Sequence, residues 1–368
     1  MSKRTIRSIV SPVLACAVLA IAAGCAKPVP IGIVAGLTGP RADLGTAGRD
    51  GALLRFKEER GASRRFDLIV EDDRDDPADF RAAIGRLMEA GAAVAIGPFT
   101  AGMAEEASAI GPGFLFVSPT VDAERFEGQD DNLVRLMGSE DDAAAKLATA
   151  ARRGWAIRSA CVLWDRRDRV YAEDYMAAFT RSWRAEGGEE PIDFGFDGNE
   201  PGSMLEAIGK ALADRADGVL VIAGGANAAA IVRRLKRDGF AGRIMLAGQA
   251  VTSGVAVHAT TSLDGVVFAL QYDPTSHEPA LAALRRRYRD RYGLEPTYAA
   301  VLGYEAADLL LSALAASPGR DAASVKTALL GLGPVDGVQG TLGLDGYGDT
   351  RRKAFLFEFW HGAVVRLE

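Results

Sequence analysis

The stretch 30–60, PIGIVAGLTGPRADLGTAGRDGALLRFKEER, constrains this chain more than any other. Pro30–Ala35 is apolar without alternation, as a parallel strand covered on both faces requires. Gly36, Gly39 and Gly45 permit tight turns and close approach of a small molecule to the backbone. Beyond them Ala52, Leu53 and Phe56 recur at helical spacing, and Gly61 ends the segment. A helix entered from such a loop aims unpaired N–H groups over the strand end, a setting that suits anions.

The unit recurs. Strands are predicted at Phe66–Glu71, Ala93–Ile96 and Phe114–Val117, with helices around Phe80–Met88 and from Met103 to Ile110. Leu133–Leu136 reads as a connecting strand. A second series follows over roughly 140–270, with strands at Ala160–Trp164, Ile192–Phe196, Val219–Ala223 and Ile244–Ala247 between helices. Three helices then precede a terminal hairpin, predicted from Gly337–Leu344 and Lys353–Phe359 around an Asp345–Asp349 turn. The fold class is α/β: two doubly wound halves, with ligands expected at the carboxyl ends of strands.

A chain of 368 residues is long enough for two cores. Its formal charge is −6. Loss of the basic leader residues Lys3, Arg4 and Arg7 makes the remainder more acidic still, which argues against nucleic acid or an anionic membrane surface as the main partner. Those three bases precede the apolar run Ile9–Ala23, too short for a stable span, and the run closes on Ala22-Ala23-Gly24-Cys25. This resembles a bacterial lipobox, so residues 1–24 are expected to be a lipoprotein signal peptide and Cys25 the lipidated N-terminus, anchored to a membrane outside the cytoplasm. No later segment is read as apolar enough to cross a bilayer. Cys161 is then the single cysteine of the folded body, best read as a small apolar residue in a strand.

No catalytic constellation stands out. His258, His277 and His361 are scattered, and neither a G-x-S-x-G elbow nor a Walker phosphate loop occurs. The acidic run Glu71–Asp76 lacks EF-hand spacing and reads as a loop whose Asp76 or Asp79 caps the next helix. Neither a metal, a cofactor nor an enzymatic activity is expected.

Several strings converge on one family. Gly36–Gly45, Val70–Asp73 with Asp76-Pro77, Ala95–Thr100, Val117–Thr120, Gly128–Asn132, Tyr288–Pro296 and Ala299–Ala306 resemble, in order and spacing, the type I periplasmic solute-binding proteins of branched-chain amino-acid ABC transporters. The resemblance implies two Rossmann-like lobes joined by three hinge crossings and closing on a small ligand. Lobe one would be 28–138 plus 273–338, and lobe two 139–272 plus 339–368. It also implies an ABC permease as partner and no covalent chemistry.

Carried over residue by residue, the ligand site is mixed. Where amino-acid-binding relatives place a carboxylate-holding Ser, this chain has Ala101, leaving Thr100 and the amides of Ala101 and Gly102. After Ser-Pro come Thr120 and Asp122, and Leu44 lies near the first-loop aromatic of relatives. Tyr171 matches a covering aromatic from lobe two. The acidic partner of an α-amino group appears as Gln249, so only Asp122 could supply that charge. The expected ligand is a small polar solute, an amino acid or related molecule. An alternative role for the same fold is a sensing or assembly lipoprotein that signals to a membrane partner.

Overall fold

The computed structural model describes residues 27–59, 61, 65–252 and 261–367. Cys25 and His258 lie outside them.

The first parallel sheet runs β2-β1-β3-β4-β5, from Val29–Ala35 (β1), Phe66–Asp72 (β2), Val94–Ile96 (β3), Leu115–Ser118 (β4) and Leu133–Arg135 (β5). All its pairings are parallel, so the connecting strand read at 133–136 is a full edge strand beside β4. The second sheet orders Ala160–Asp165 (β6), Ile192–Phe196 (β7), Gly218–Ile222 (β8), Arg243–Leu246 (β9) and Val267–Leu270 (β10) as β10-β9-β8-β6-β7, again in parallel. Sequence periodicity missed β10.

Ten α-helices accompany these strands among the described residues: Ala42–Glu58 (α1), Pro77–Glu89 (α2), Ala101–Ile110 (α3), Asp141–Thr149 (α4), Arg169–Ala185 (α5), Pro201–Asp214 (α6), Gly225–Arg237 (α7), Pro279–Tyr292 (α8), Tyr298–Ala316 (α9) and Ala322–Leu330 (α10). Asp76 caps α2, accepting the amides of Ala78 and Asp79 ahead of Pro77, as the acidic loop implied.

Helix α1 starts ten residues before the apolar spacing that announces it. Gly45 is therefore not a turn residue but lies in the first turns of α1, where a Cβ would meet the Gly36 carbonyl oxygen at 2.2 Å. Gly48 and Gly51 continue the stripe. A Cβ on Gly51 would sit 1.8 Å from the Ala300 carbonyl oxygen, and one on Gly303 would sit 2.1 Å from that of Gly48. Glycines three apart thus let α1 and α9 approach backbone to backbone, close enough that the interface needs few large apolar side chains.

Helix α9 also corrects the membrane expectation. Tyr298–Ala316 is long and apolar enough to span a bilayer by composition. It is instead a core helix, burying residues from Tyr298 to Leu314 against α1 and the first sheet.

The terminal hairpin is corrected as well. Val335–Gly337 (β11) pairs with Gly340–Leu342 (β12), while Phe355–Trp360 (β13) pairs antiparallel with Ala363–Arg366 (β14) and with β10. The two predicted arms therefore belong to different hairpins. The turn itself is present: Asp345 Oδ1 accepts the amides of Tyr347, Gly348 and Asp349. Phe268 stacks on Phe357 with ring centres 5.3 Å apart, an aromatic contact that fixes β13 to β10 rather than to β12.

The chain passes between the sheets at 136–140, 271–278 and 343–354. Gln271 ties the first two passages together, and Gln339 holds the second to the β11–β12 turn. Gln271 exchanges hydrogen bonds with Gly138 at 2.9 Å each way, and Gln339 exchanges them with the Asp273 backbone. Beside them the buried Arg135 guanidinium meets Asp349 at 2.7 Å and also donates to the Ala123 carbonyl.

Candidate functional site

Because every strand of both parallel sheets ends on the same side of its sheet, the loops after β1, β2, β3 and β4 face those after β6, β8 and β9. Arg41, in the loop between β1 and α1, crosses this seam. Its guanidinium meets Asp75 of the first half at 2.6 Å and Asp168, at the start of α5 in the second half. The three side chains are 6–9% exposed. Burial alone would disfavour the Arg41 charge, but Asp168 and Asp75 outweigh it and hold the guanidinium protonated. Asp43 pairs with Thr252 across the same seam. At the rim, Arg125 meets Asp174 at 2.6 Å and Arg181 meets Glu124 at 3.1 Å. A cavity of about 470 Å³ opens beside the Arg41 bridge, walled in part by Asp75, Asp165, Arg167, Asn199 and Asn227.

The residues expected from sequence gather along this seam in varied ways. Thr100 donates to Asp75 Oδ1 at 2.9 Å, and Thr120 donates to the Phe99 carbonyl at 2.6 Å, so both hydroxyl protons serve the loops. Ala101 and Gly102 open α3, with Thr100 at its N-cap, and Leu44 is buried in the first turn of α1. Asp122 is buried and hydrogen-bonded to Glu140, which also receives Tyr171. Burial, followed by the neighbouring Asp168 charge, pushes the Asp122 carboxyl up to about 8. Burial and the Asp122 charge push Glu140 in the same direction. A carboxyl pair so placed shares a proton at neutral pH. Tyr171 Oη accepts the Gln249 amide at 3.3 Å, and the Gln249 side chain donates to Asp168. Gln249 thus serves as a donor to a carboxylate rather than as a charge itself.

Four residues of this seam escaped the sequence reading: Arg41, Asp75, Glu140 and Asp168. Arg41 and Asp75 lay inside strings already singled out, at the ends of β1 and β2, where the topology rule places ligands. Glu140 and Asp168 carry no local signal. Each becomes meaningful only because a crossing or a helix start brings it beside Asp122.

Other candidates fall away from the seam. His277 and His361 are exposed, and among the described residues no group of His, Cys, Asp or Glu has the arrangement of a metal site. The Cys161 thiol is buried in β6, and burial pushes it up to about 12, far from thiolate chemistry.

The comparisons agree with this architecture. Residues 28–358 match the family model described as periplasmic binding protein. The Leu/Ile/Val-binding protein homolog 1 of Brucella suis biovar 1 is 24% identical over 365 residues, covering 96% of each chain. The leucine binding protein LivK of Thermotoga maritima superposes with a TM-score of 0.84 at 19% identity, over 92% of this chain and 98% of that one. A solute binding protein of an ABC transporter from R. palustris, solved with benzoate, gives 0.83 at 20% identity over 93% and 96%. With the family model covering nearly the whole of the described fold, the chain belongs to the periplasmic binding protein family.

Proposed function

We propose that this protein captures a small polar solute between its two halves and delivers it to an ABC importer in the membrane. One observation carries the reading: polar side chains from both halves converge on one seam, the buried Arg41 and Asp122 from the first and the buried Asp168 and Tyr171 with the half-buried Gln249 from the second. Sites between domains at strand ends are where α/β proteins hold small ligands, and hinge closure buries them. The lobes are taken as 28–138 plus 273–338 and 139–272 plus 339–368; β1 to β5 fall in the first and β6 to β10 with β13 and β14 in the second, while the β11–β12 hairpin straddles the last boundary. Leu44, Thr100, Ala101, Gly102, Thr120, Asp122, Tyr171 and Gln249 are proposed to contact or frame the solute. The relatives bear on its class: the Brucella suis protein is named for Leu, Ile and Val and the R. palustris protein is solved with benzoate, all small organic molecules.

The family is extracytoplasmic, and residues 1–24 are proposed as a signal peptide with Cys25 as the lipid anchor. The test is mass spectrometry of solute released from the purified, denatured protein, together with uptake of that solute by cells lacking it. Loss of uptake supports delivery to a permease. Normal uptake with a lost response to the solute overturns transport in favour of sensing.

A further inference from the structure

The seam is not electrically balanced. Arg41 is shared by Asp75 and Asp168, which leaves the Asp122–Glu140 pair without a cation of its own. Arg135, whose charge reaches Asp122, is committed to Asp349 and the Ala123 carbonyl. Two carboxylate oxygens, Glu140 Oε1 and Asp168 Oδ1, are buried with no hydrogen-bond partner, on residues about 95% buried. Asp168 acts electrostatically on both Asp122 and Glu140, so the three carboxyls lie in one neighbourhood. Unsatisfied buried acceptors are costly and rare, and they mark a position that a donor completes.

The walls are aromatic. Tyr171 and Tyr175 stand on successive turns of α5 with ring centres 5.8 Å apart, and the buried Tyr298 at the start of α9 lies within electrostatic reach of Asp122, Asp43 and Glu140. Tyr175 Oη is a third buried polar atom without a partner. Carboxylates beside tyrosine rings recognise a positive group through charge-assisted hydrogen bonds and ring quadrupoles together.

An anion is poorly served by the same seam. The α3 start, with the Ala101 and Gly102 amides, is where a solute carboxylate would dock. There Thr100 holds the chain's own Asp75 carboxylate at 2.9 Å. An incoming carboxylate would stand beside that charge, at a cost that rises as water is excluded.

Resting on the capture reading above, we propose that the solute is an organic cation, whose ammonium or guanidinium group docks on Asp122, Glu140 and Asp168 beneath the Tyr171, Tyr175 and Tyr298 rings, and that it carries no carboxylate. Zwitterionic amino acids and aromatic acids are disfavoured by Asp75; a simple amine is not.

The experiment is calorimetry and thermal shift on the purified protein at pH 8 with butylamine, 1,4-diaminobutane, agmatine, leucine and benzoate, repeated on Asp122→Asn, Glu140→Gln and Asp168→Asn, with circular dichroism verifying each fold. At least one cation is expected to bind. Its affinity should fall tenfold or more in Asp122→Asn or Glu140→Gln, while leucine and benzoate give no heat. Binding of leucine or benzoate with no response to the amines overturns the cation assignment and leaves capture standing. Amine binding of equal strength in all three folded variants overturns the site. A uniform absence of binding across the panel, in a protein that also releases no solute on denaturation, overturns capture and the cation together.

Discussion

Gln271 and Gly138 exchange two hydrogen bonds of 2.9 Å, side-chain Oε1 accepting the Gly138 amide and Nε2 donating to the Gly138 carbonyl. The pair joins the first and second passages between the sheets, and Nε2 also reaches the Ser139 carbonyl at 2.6 Å. A primary amide is the one neutral side chain that can mimic a backbone strand partner in this way. Replacement by leucine leaves a buried N–H and C=O unpaired. Gln271→Leu is expected to lose about 1–3 kcal/mol, read from the denaturation midpoint at unchanged slope.

Arg135 and Asp349 make a second prediction. The guanidinium is buried, and Asp349 also accepts the Gly128 amide at 2.7 Å, so this ion pair organises the third passage. Asp349→Ala strands a positive charge in the core and is expected to cost about 3–5 kcal/mol. The double change Arg135→Met with Asp349→Leu removes both charges and should recover part of that loss. Equal destabilisation in the two variants, measured by urea denaturation, would contradict the pairing argument.

How far these features were legible depends on their range. β1 to β9 were readable because each is a short apolar run bounded by turn residues, and Asp76 announced its own capping. β10 was missed although Val267–Leu270 is an apolar run between Asp264-Gly265 and Asp273-Pro274, and its place in the sheet is set by Phe357 on the distant β13. The start of α1 was hidden because glycines do its packing, so no apolar period marks Gly45, Gly48 or Gly51. At the seam, Asp122 and Tyr171 were accessible through resemblance. Glu140 and Asp168 were not, because their importance is a matter of three-dimensional adjacency between distant segments.

A pH dependence follows from Asp73. It is almost wholly buried, and burial pushes its carboxyl up to about 7, reinforced by the charges of Asp75 and Asp72 and opposed by Arg41. The unfolded chain releases this proton near the ordinary carboxylate value of about 4. Between roughly pH 4 and 7 the native state therefore binds more protons than the unfolded one, and stability falls as pH rises through this window. The Asp122–Glu140 pair, which burial also pushes up, acts in the same sense. Asp73→Asn keeps the acceptor for the Asp75 amide without needing a proton, so its stability curve should be flatter than that of the native protein over this range. A thermal-melt series from pH 4 to 8 reads the difference; parallel curves would refute it.

The last prediction concerns Arg41, whose side chain bridges the halves directly. Removing it with Arg41→Ala leaves Asp75 and Asp168 as facing, nearly buried carboxylates without their shared cation. Were the seam rigid, the penalty would be that of a broken buried pair, about 3–5 kcal/mol. Opening at the hinge offers a cheaper route, since it rehydrates both groups while leaving each half's own core intact. The variant is therefore expected to lose less than that amount and to expand, with a larger radius of gyration by small-angle scattering. Arg41→Lys retains one charge but not the fork that serves two carboxylates, and should fall between. A full-sized loss of stability without expansion would mean that the bridge is a fixed part of the core rather than a latch on the cleft.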